Sequence, residues 1–180
     1  MNSLMIVPVF TVWWEVEWAV VNWPLGISLV AAGTALRLWS ISYLGRSART
    51  RKDKARRLVT TGPFSLCRNP IYMANMVGAC GFIVLCEVLW CVPIYVVYAF
   101  CIYSLIACYE EYLLSCKFQA EYTAYVERTP RWIPRPSAFR LGTPEHGFRE
   151  ILYRERSVFY MLCAGLLVVV SKEMITHVLL

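Results

Sequence analysis

The sequence predicts an all-α fold: a polytopic integral membrane bundle of four to five transmembrane helices, including one helical hairpin, with a cytosolic C-terminal helix and loop region. Three observations predict it. Hydrophobic residues make up 58% of the 180 and charged residues only 17%, with a mean hydropathy of +0.50, a balance too apolar for an ordinary soluble domain. Several windows meet or approach the roughly 20 apolar residues that a spanning helix needs. The net charge of +6 gathers in two stretches that flank apolar windows, as the positive-inside rule describes.

The elements follow in order. Leu4 to Val21 is apolar and rich in tryptophan, with Pro8, Glu15 and Glu17 inside it. It lacks the basic start and small-residue cleavage site of a signal peptide. Asn22-Trp23-Pro24-Leu25-Gly26 is expected to break this segment, and Leu25 to Leu44 forms the next span. Gly26, Ala32 and Gly33 permit close helix contact there. Arg37 lies inside that span, where it either snorkels to headgroups or meets a carboxylate from another helix. A basic loop runs from Gly45 to about Thr61, and Gly62-Pro63 marks a turn. Asn69-Pro70 reads as a helix start, with Asn as N-cap and Pro at the first helical position.

The helix from Pro70 is expected to reach about Cys86, with Ala74, Gly78 and Gly81 as small packing residues. Glu87 marks the far membrane face, and Val88 to about Leu114 returns to complete the hairpin. Both ends of that hairpin then lie on the side of the basic stretches, which is the cytoplasm. Ser115 to Arg135 reads as a cytoplasmic continuation of the helix followed by irregular chain, because Pro130, Pro134 and Pro136 exclude a regular helix. Gly142, Pro144 and Gly147 keep the next stretch loop-like, and Val158 to Val170 is a last span or an interfacial helix.

The basic stretches exclude little by themselves. Arg46, Arg49, Arg51, Lys52, Lys54, Arg56 and Arg57 form one; Arg128, Arg131, Arg135, Arg140, Arg149, Arg154 and Arg156 form the other. Because both adjoin apolar spans, the reading is contact with anionic membrane lipids and no nucleic-acid partner. The eight cysteines contain no Cys-x-x-Cys pair and most sit in apolar stretches, so they read as small buried residues, with no metal site.

Polar residues at a membrane boundary are costly, and that cost marks a site. Arg68 and Tyr72 are four residues apart and share a face of a helix starting near Asn69. The first-turn amides of such a helix attract a carboxylate or phosphate. Glu110 and Glu111 end the returning apolar segment, and Glu111, Leu114, Phe118, Tyr122 and Tyr125 recur at helical spacing beyond it. Carboxylates with aromatic rings suit a cationic or hydroxyl-bearing ligand.

These pieces together resemble a known pattern. Leu58-Val59-Thr60-Thr61-Gly62-Pro63-Phe64, Arg68-Asn69-Pro70-x-Tyr72, Glu110-Glu111 followed by Leu113 and Leu114, Glu121-Tyr122-x-x-Tyr125 and Pro130-Arg131-x-x-Pro134 resemble the isoprenylcysteine carboxyl methyltransferase and phospholipid methyltransferase families. Leu36-Arg37-Leu38-Trp39 and Leu44-Gly45 fit as well. The resemblance covers residues 25–136 of a single membrane domain, with 137–180 as its C-terminal segment and last span. It implies an integral membrane, multi-pass enzyme that uses S-adenosyl-L-methionine, with the cofactor site facing the cytoplasm and the C-terminal region capping it. That membrane is the plasma or inner membrane in a prokaryote and the endoplasmic reticulum in a eukaryote. By residue-wise match, Arg57, Leu58, Val59, Phe64, Asn69, Pro70, Ile71, Tyr72, Glu110 and Glu111 bind the cofactor. Arg37 and Arg131 are candidates for the substrate, a lipid-like or prenylated amphiphile. No covalent or acid–base catalytic residue is assigned, since methyl transfer mainly requires positioning.

The chain departs from the pattern at four places. Asn69 stands where the family often has His, Arg56 where prenylcysteine enzymes tend to have His, and Ala120 where Gly is usual. Leu105, Ile106 and Ala107 occupy the turn in which prenylcysteine enzymes carry an Arg for the substrate carboxylate. Lipid amines, oxygen nucleophiles and thiols therefore all stay open as acceptors. The rival readings are a related membrane reductase that binds NADPH and a non-catalytic membrane scaffold or lipid binder.

Overall fold

The computed structural model describes residues 19–44 and 57–179. The predicted segment Leu4–Val21, apart from its last three residues, and most of the first basic loop lie outside them. Every regular element among the described residues is helical. These are α1 (Ala19–Tyr43), the short α2 (Pro63–Leu66), α3 (Pro70–Leu85), α4 (Cys91–Arg128), α5 (Phe148–Arg154) and α6 (Arg156–Leu179), with a single 3-10 turn at Pro136–Ala138.

The tightest contact is between α1 and α3, and small residues make it possible. A Cβ on Gly33 would lie 2.6 Å from the Gly78 amide nitrogen, and one on Gly81 would lie 2.7 Å from the Val30 nitrogen. The two backbones therefore touch. Gly26 meets Leu85 and Gly81 while Gly33 meets Ala74 and Gly78, so the helices run antiparallel. This contact overrides the predicted break at Asn22–Gly26. Helix α1 runs straight through Pro24, whose carbonyl accepts the Ser28 hydroxyl at 2.6 Å. Proline removes one helical hydrogen bond, and the close packing of the next turn against α3 outweighs it.

Helix α4 begins at Cys91 and continues to Arg128. It bends at Gln119, whose φ of 39° is a left-handed conformation that side chains resist. Two helices are long and apolar enough to cross a membrane, Val20–Tyr43 and Cys91–Arg128. Only 28% and 11% of their apolar windows are buried, so they are not the core of a water-soluble bundle. Helix α3 is shorter, at 16 residues.

One end of the bundle carries a polar layer. The C-terminal end of α1, the N-terminus of α3 and the end of α4 meet there, and residues 129–146 lace them together. Arg68 N donates to Pro130 O and Arg135 N to Leu66 O, at 2.9 and 3.0 Å. Tyr125 Oη donates to Phe64 O at 2.7 Å, Tyr43 Oη to Gly142 O at 3.1 Å, and Glu145 N to Ser42 O at 2.8 Å. The Gly62-Pro63 turn starts the extra helix α2, and Gly62 adopts φ 60° against the Tyr43 ring.

Helix α6 connects both ends of the bundle. Glu155, fully buried at its start, accepts from Arg37 Nε at 2.8 Å. Lys172 Nζ donates to Cys86 O at 3.1 Å and lies 3.8 Å from Glu87 Oε2. Glu87, the residue read as marking the far face, lies in the turn between α3 and α4 with a left-handed φ of 61° and is only 7% exposed. The Val158–Val170 run is thus the middle of a longer helix anchored by charge at two levels.

Candidate functional site

Tyr72, Tyr103, Glu110, Glu111 and the Arg68-Asn69 pair meet where α3 begins beside α4. Proline at position 70 starts α3 as expected, but Asn69 makes no side-chain cap. Its Nδ2 donates instead to Arg131 O at 3.3 Å. The amide ties the 129–135 segment across the helix start.

One turn into α3, the Tyr72 side chain lies beside the Glu110 carboxylate of α4. Its ring stacks on Tyr103, with centroids 4.8 Å apart and planes 16° apart. Tyr103 lies seven residues before Glu110, two turns along one face of α4, so a single helix supplies both partners. Stacked rings beside a carboxylate attract cations and accept hydroxyls.

The adjacent Glu111 faces a different set of groups. Arg131 grips it with two parallel bonds, Nη2 to Oε2 at 2.7 Å and Nε to Oε1 at 3.1 Å, and Arg68 lies 3.6 Å from Oε1. Bidentate geometry makes this a strong polar fastening, and the bond to Glu111 raises the basicity of the Arg131 guanidinium. Arg68 Nε is buried with no hydrogen-bond partner, an unspent donor beside the same carboxylate. Cys67, 2% exposed, completes the layer, and burial pushes its thiol up to about 11.

A second feature adjoins this group. A cavity of about 450 Å³ lies between α1, α3 and α6, with Tyr103 on its wall. Gly33, Gly78, Phe82 and Leu162 give it apolar sides, and Arg37 and Asn75 give it a polar end. Arg37 Nη1 donates to Asn75 Oδ1 at 2.6 Å while its Nε holds Glu155. Thus Arg37 meets a carboxylate from another helix, the second of its two sequence readings.

The remaining candidates lie apart or support the layer. Arg57 pairs with Glu145 at 2.5 Å, with Leu58 and Val59 half-buried after it. Phe64 and Pro70 are buried and Ile71 is half-buried. Sequence reasoning missed Tyr103, Asn75 and Glu155. Asn75 carried a signal, as a lone amide within an apolar helix; Tyr103 carried the seven-residue spacing to Glu110. Glu155 lies 118 residues from Arg37 in a stretch that reads as polar loop, and nothing local marks it. Among the described residues, no three His, Cys, Asp or Glu gather as a metal site.

Comparison with known proteins decides the family. The phospholipid methyltransferase family model matches residues 21–121, more than half the chain. The chain belongs to the phospholipid methyltransferase family. With its two long apolar helices, this membership makes it a membrane protein. The family match contains α1 from its third residue, α3, Tyr72, Tyr103, Glu110 and Glu111, and ends before Arg131 and Glu155.

The chain is 37% identical over 117 residues to the nickel-cobalt-cadmium resistance protein NccN of Alcaligenes xylosoxydans xylosoxydans, covering 64% of this chain and 50% of that protein. It is 35% identical over 117 residues to the cobalt-zinc-cadmium resistance protein CzcN of Cupriavidus metallidurans, covering 64% and 49%. It is 28% identical over 126 residues to protein-S-isoprenylcysteine O-methyltransferase B of Arabidopsis thaliana, covering 66% and 61%. The matches thus span about half the length of the two bacterial relatives. No solved structure matches the chain.

Proposed function

We propose that this protein transfers a methyl group from S-adenosyl-L-methionine to an amphiphilic acceptor at the cytoplasmic face of a membrane. The observation that carries the reading is the stack of Tyr72 on Tyr103 with Glu110 beside it, next to a cavity that shares Tyr103 as a wall. A donor site and an acceptor site need such a common boundary, because transfer requires two reactants held in line and shielded from water.

The residues fit the donor. S-adenosyl-L-methionine, when bound, supplies a methyl group on a sulfonium, together with an ammonium, a carboxylate and a ribose. The rings of Tyr72 and Tyr103 suit the sulfonium, and the carboxylate of Glu110 suits the ammonium or ribose hydroxyls. The unpartnered Arg68 Nε suits the carboxylate. Asn69 and the Arg131–Glu111 grip hold the 129–135 segment over the helix start and exclude water from it.

The cavity suits the acceptor. Its volume of about 450 Å³ falls within the range of small-ligand sites, and its apolar sides accept a hydrocarbon portion. Arg37 and Asn75 orient the head toward Tyr103. Neither acts as an acid or base in this reading; both position.

The decisive experiment uses the purified full chain in native lipid. Methyl-labelled S-adenosyl-L-methionine should label a lipid-soluble product, and Glu110→Ala should abolish binding of the methyl donor while the protein stays folded and extractable. Unchanged donor binding in Glu110→Ala, or a thermal shift with NADPH and none with S-adenosyl-L-methionine, would overturn the reading.

A further inference from the structure

Outside α5 and α6, the arginines among the described residues fall into two groups. Arg37, Arg57, Arg68 and Arg131 each face a carboxylate within 4 Å. Arg128, Arg135 and Arg140 have no such partner among the described residues, and all three line one cavity of about 370 Å³. Thr60 and Ser137 add hydroxyls to its wall, and Glu127 is its single acid. The cavity lies on the polar layer, beyond the Gln119 bend.

This cavity is built, because its arginines do not depend on their own side chains for position. Arg140 N donates to Ser65 Oγ at 2.9 Å, and Arg140 O accepts from Gly62 N at 2.9 Å. Arg135 N donates to Leu66 O at 3.0 Å. Ser65 is itself 2% exposed and bonded to Gly62 O at 2.7 Å, so α2 acts as a rigid backing plate. Arg128 is the last residue of α4, and its Nε donates to Ala124 O at 2.8 Å. Three positions along residues 128–140 thus place arginines on one concave surface with a single opposing charge. Like charges so gathered repel one another unless an anion lies between them.

We propose that this cavity binds a phosphate group borne on a small polar body, either the headgroup of an anionic lipid or a free phosphorylated metabolite. Guanidinium forks match phosphate oxygens in pairs, and the hydroxyls of Thr60 and Ser137 add further donors. The volume exceeds that of inorganic phosphate alone, so the group carries a glycerol-sized or sugar-sized body. The site is separate from the Tyr72–Glu110 group and does not rest on the methyl-transfer reading.

The test is titration of the detergent-purified full chain with three probes, followed by native mass spectrometry. The probes are glycerol 3-phosphate, short-chain phosphatidylglycerol and, as the zwitterionic control, short-chain phosphatidylcholine. One or both anionic probes should bind, and phosphatidylcholine should not compete. The double substitution Arg135→Gln with Arg140→Gln should weaken that binding about tenfold or more, and either substitution alone by about threefold. Both side chains are exposed, so the melting temperature should not change. A matched pair elsewhere on the surface, Arg149→Gln with Arg156→Gln, should leave binding intact. Binding of phosphatidylglycerol alone identifies a lipid headgroup site, and binding of glycerol 3-phosphate as well identifies a soluble phosphate ligand. The proposal is overturned if neither anion binds, if the control lipid binds equally, or if both pairs of substitutions weaken binding to the same degree.

Discussion

Cys67 shows how single groups in this layer are tuned. It sits between α2 and α3, 2% exposed, with its sulfur 3.4 Å from that of Met73. Burial disfavours the thiolate, so its pKa rises from 9.0 to about 11. The folded chain therefore holds this proton more tightly than the unfolded chain. The associated stability is fully present below pH 9 and is lost as pH climbs through 11, to the extent of about 2 kcal/mol. Melting temperature measured from pH 8 to 11 should fall, and Cys67→Ala should flatten part of that fall. At pH 8 a thiol-alkylating reagent should modify exposed Cys116 before Cys67. The same residue-scale view explains what the sequence revealed of the site. Tyr72 and Glu110 announce themselves because polar groups at a membrane boundary are costly. Their partner Tyr103 looks like any lipid-facing aromatic until the fold turns it onto Tyr72.

At the scale of elements, the α1–α3 pair is the frame on which both candidate sites hang. Its small residues were legible, since Gly26, Gly33, Gly78 and Gly81 recur at helix-contact spacing. The continuity of α1 through Pro24 was not, because a proline's local cost is visible in sequence and the packing that offsets it is not. With backbones in contact, a methyl group has nowhere to go. Gly33→Ala should destabilise the protein by about 1–3 kcal/mol through overpacking against Gly78, read as a lower melting temperature in detergent. The α6 anchor is different in kind. Glu155 is fully buried against Arg37, which is 19% exposed. Removing one partner of such a pair leaves a charge in a poor solvent, and Glu155→Ala should cost about 3 kcal/mol or more. Because Arg37 also forms the polar end of the cavity proposed for the acceptor, the same variant should raise the acceptor KM more than it lowers kcat. Equal loss of both would mean that the pair is only a structural clasp.

The whole molecule is a device for placing polar chemistry at one edge of an apolar slab. Arg57, Arg68, Glu111, Arg131, Arg135 and Arg140 belong to one end, where α1 finishes, α3 starts and α4 finishes. Glu87 and Lys172 belong to the other, at the turn between α3 and α4. From Cys91 to Cys116, α4 alone rises about 38 Å at 1.5 Å per residue, more than the roughly 30 Å hydrocarbon thickness of a bilayer. The two ends must then face opposite waters if α4 spans, and the arginine-rich end should face the cytoplasm. Two single-cysteine variants test this with a membrane-impermeant thiol reagent. One retains exposed Cys116 as its only reactive thiol; the other carries Trp90→Cys, at an exposed position of the far turn. Cys116 should be labelled only in inverted membrane vesicles and Trp90→Cys only in intact cells. Labelling of both from one side would mean that α4 does not cross the bilayer. The Tyr72–Glu110 group would then lose the boundary that the proposed methyl transfer needs, with donor and acceptor reaching Tyr103 from opposite phases.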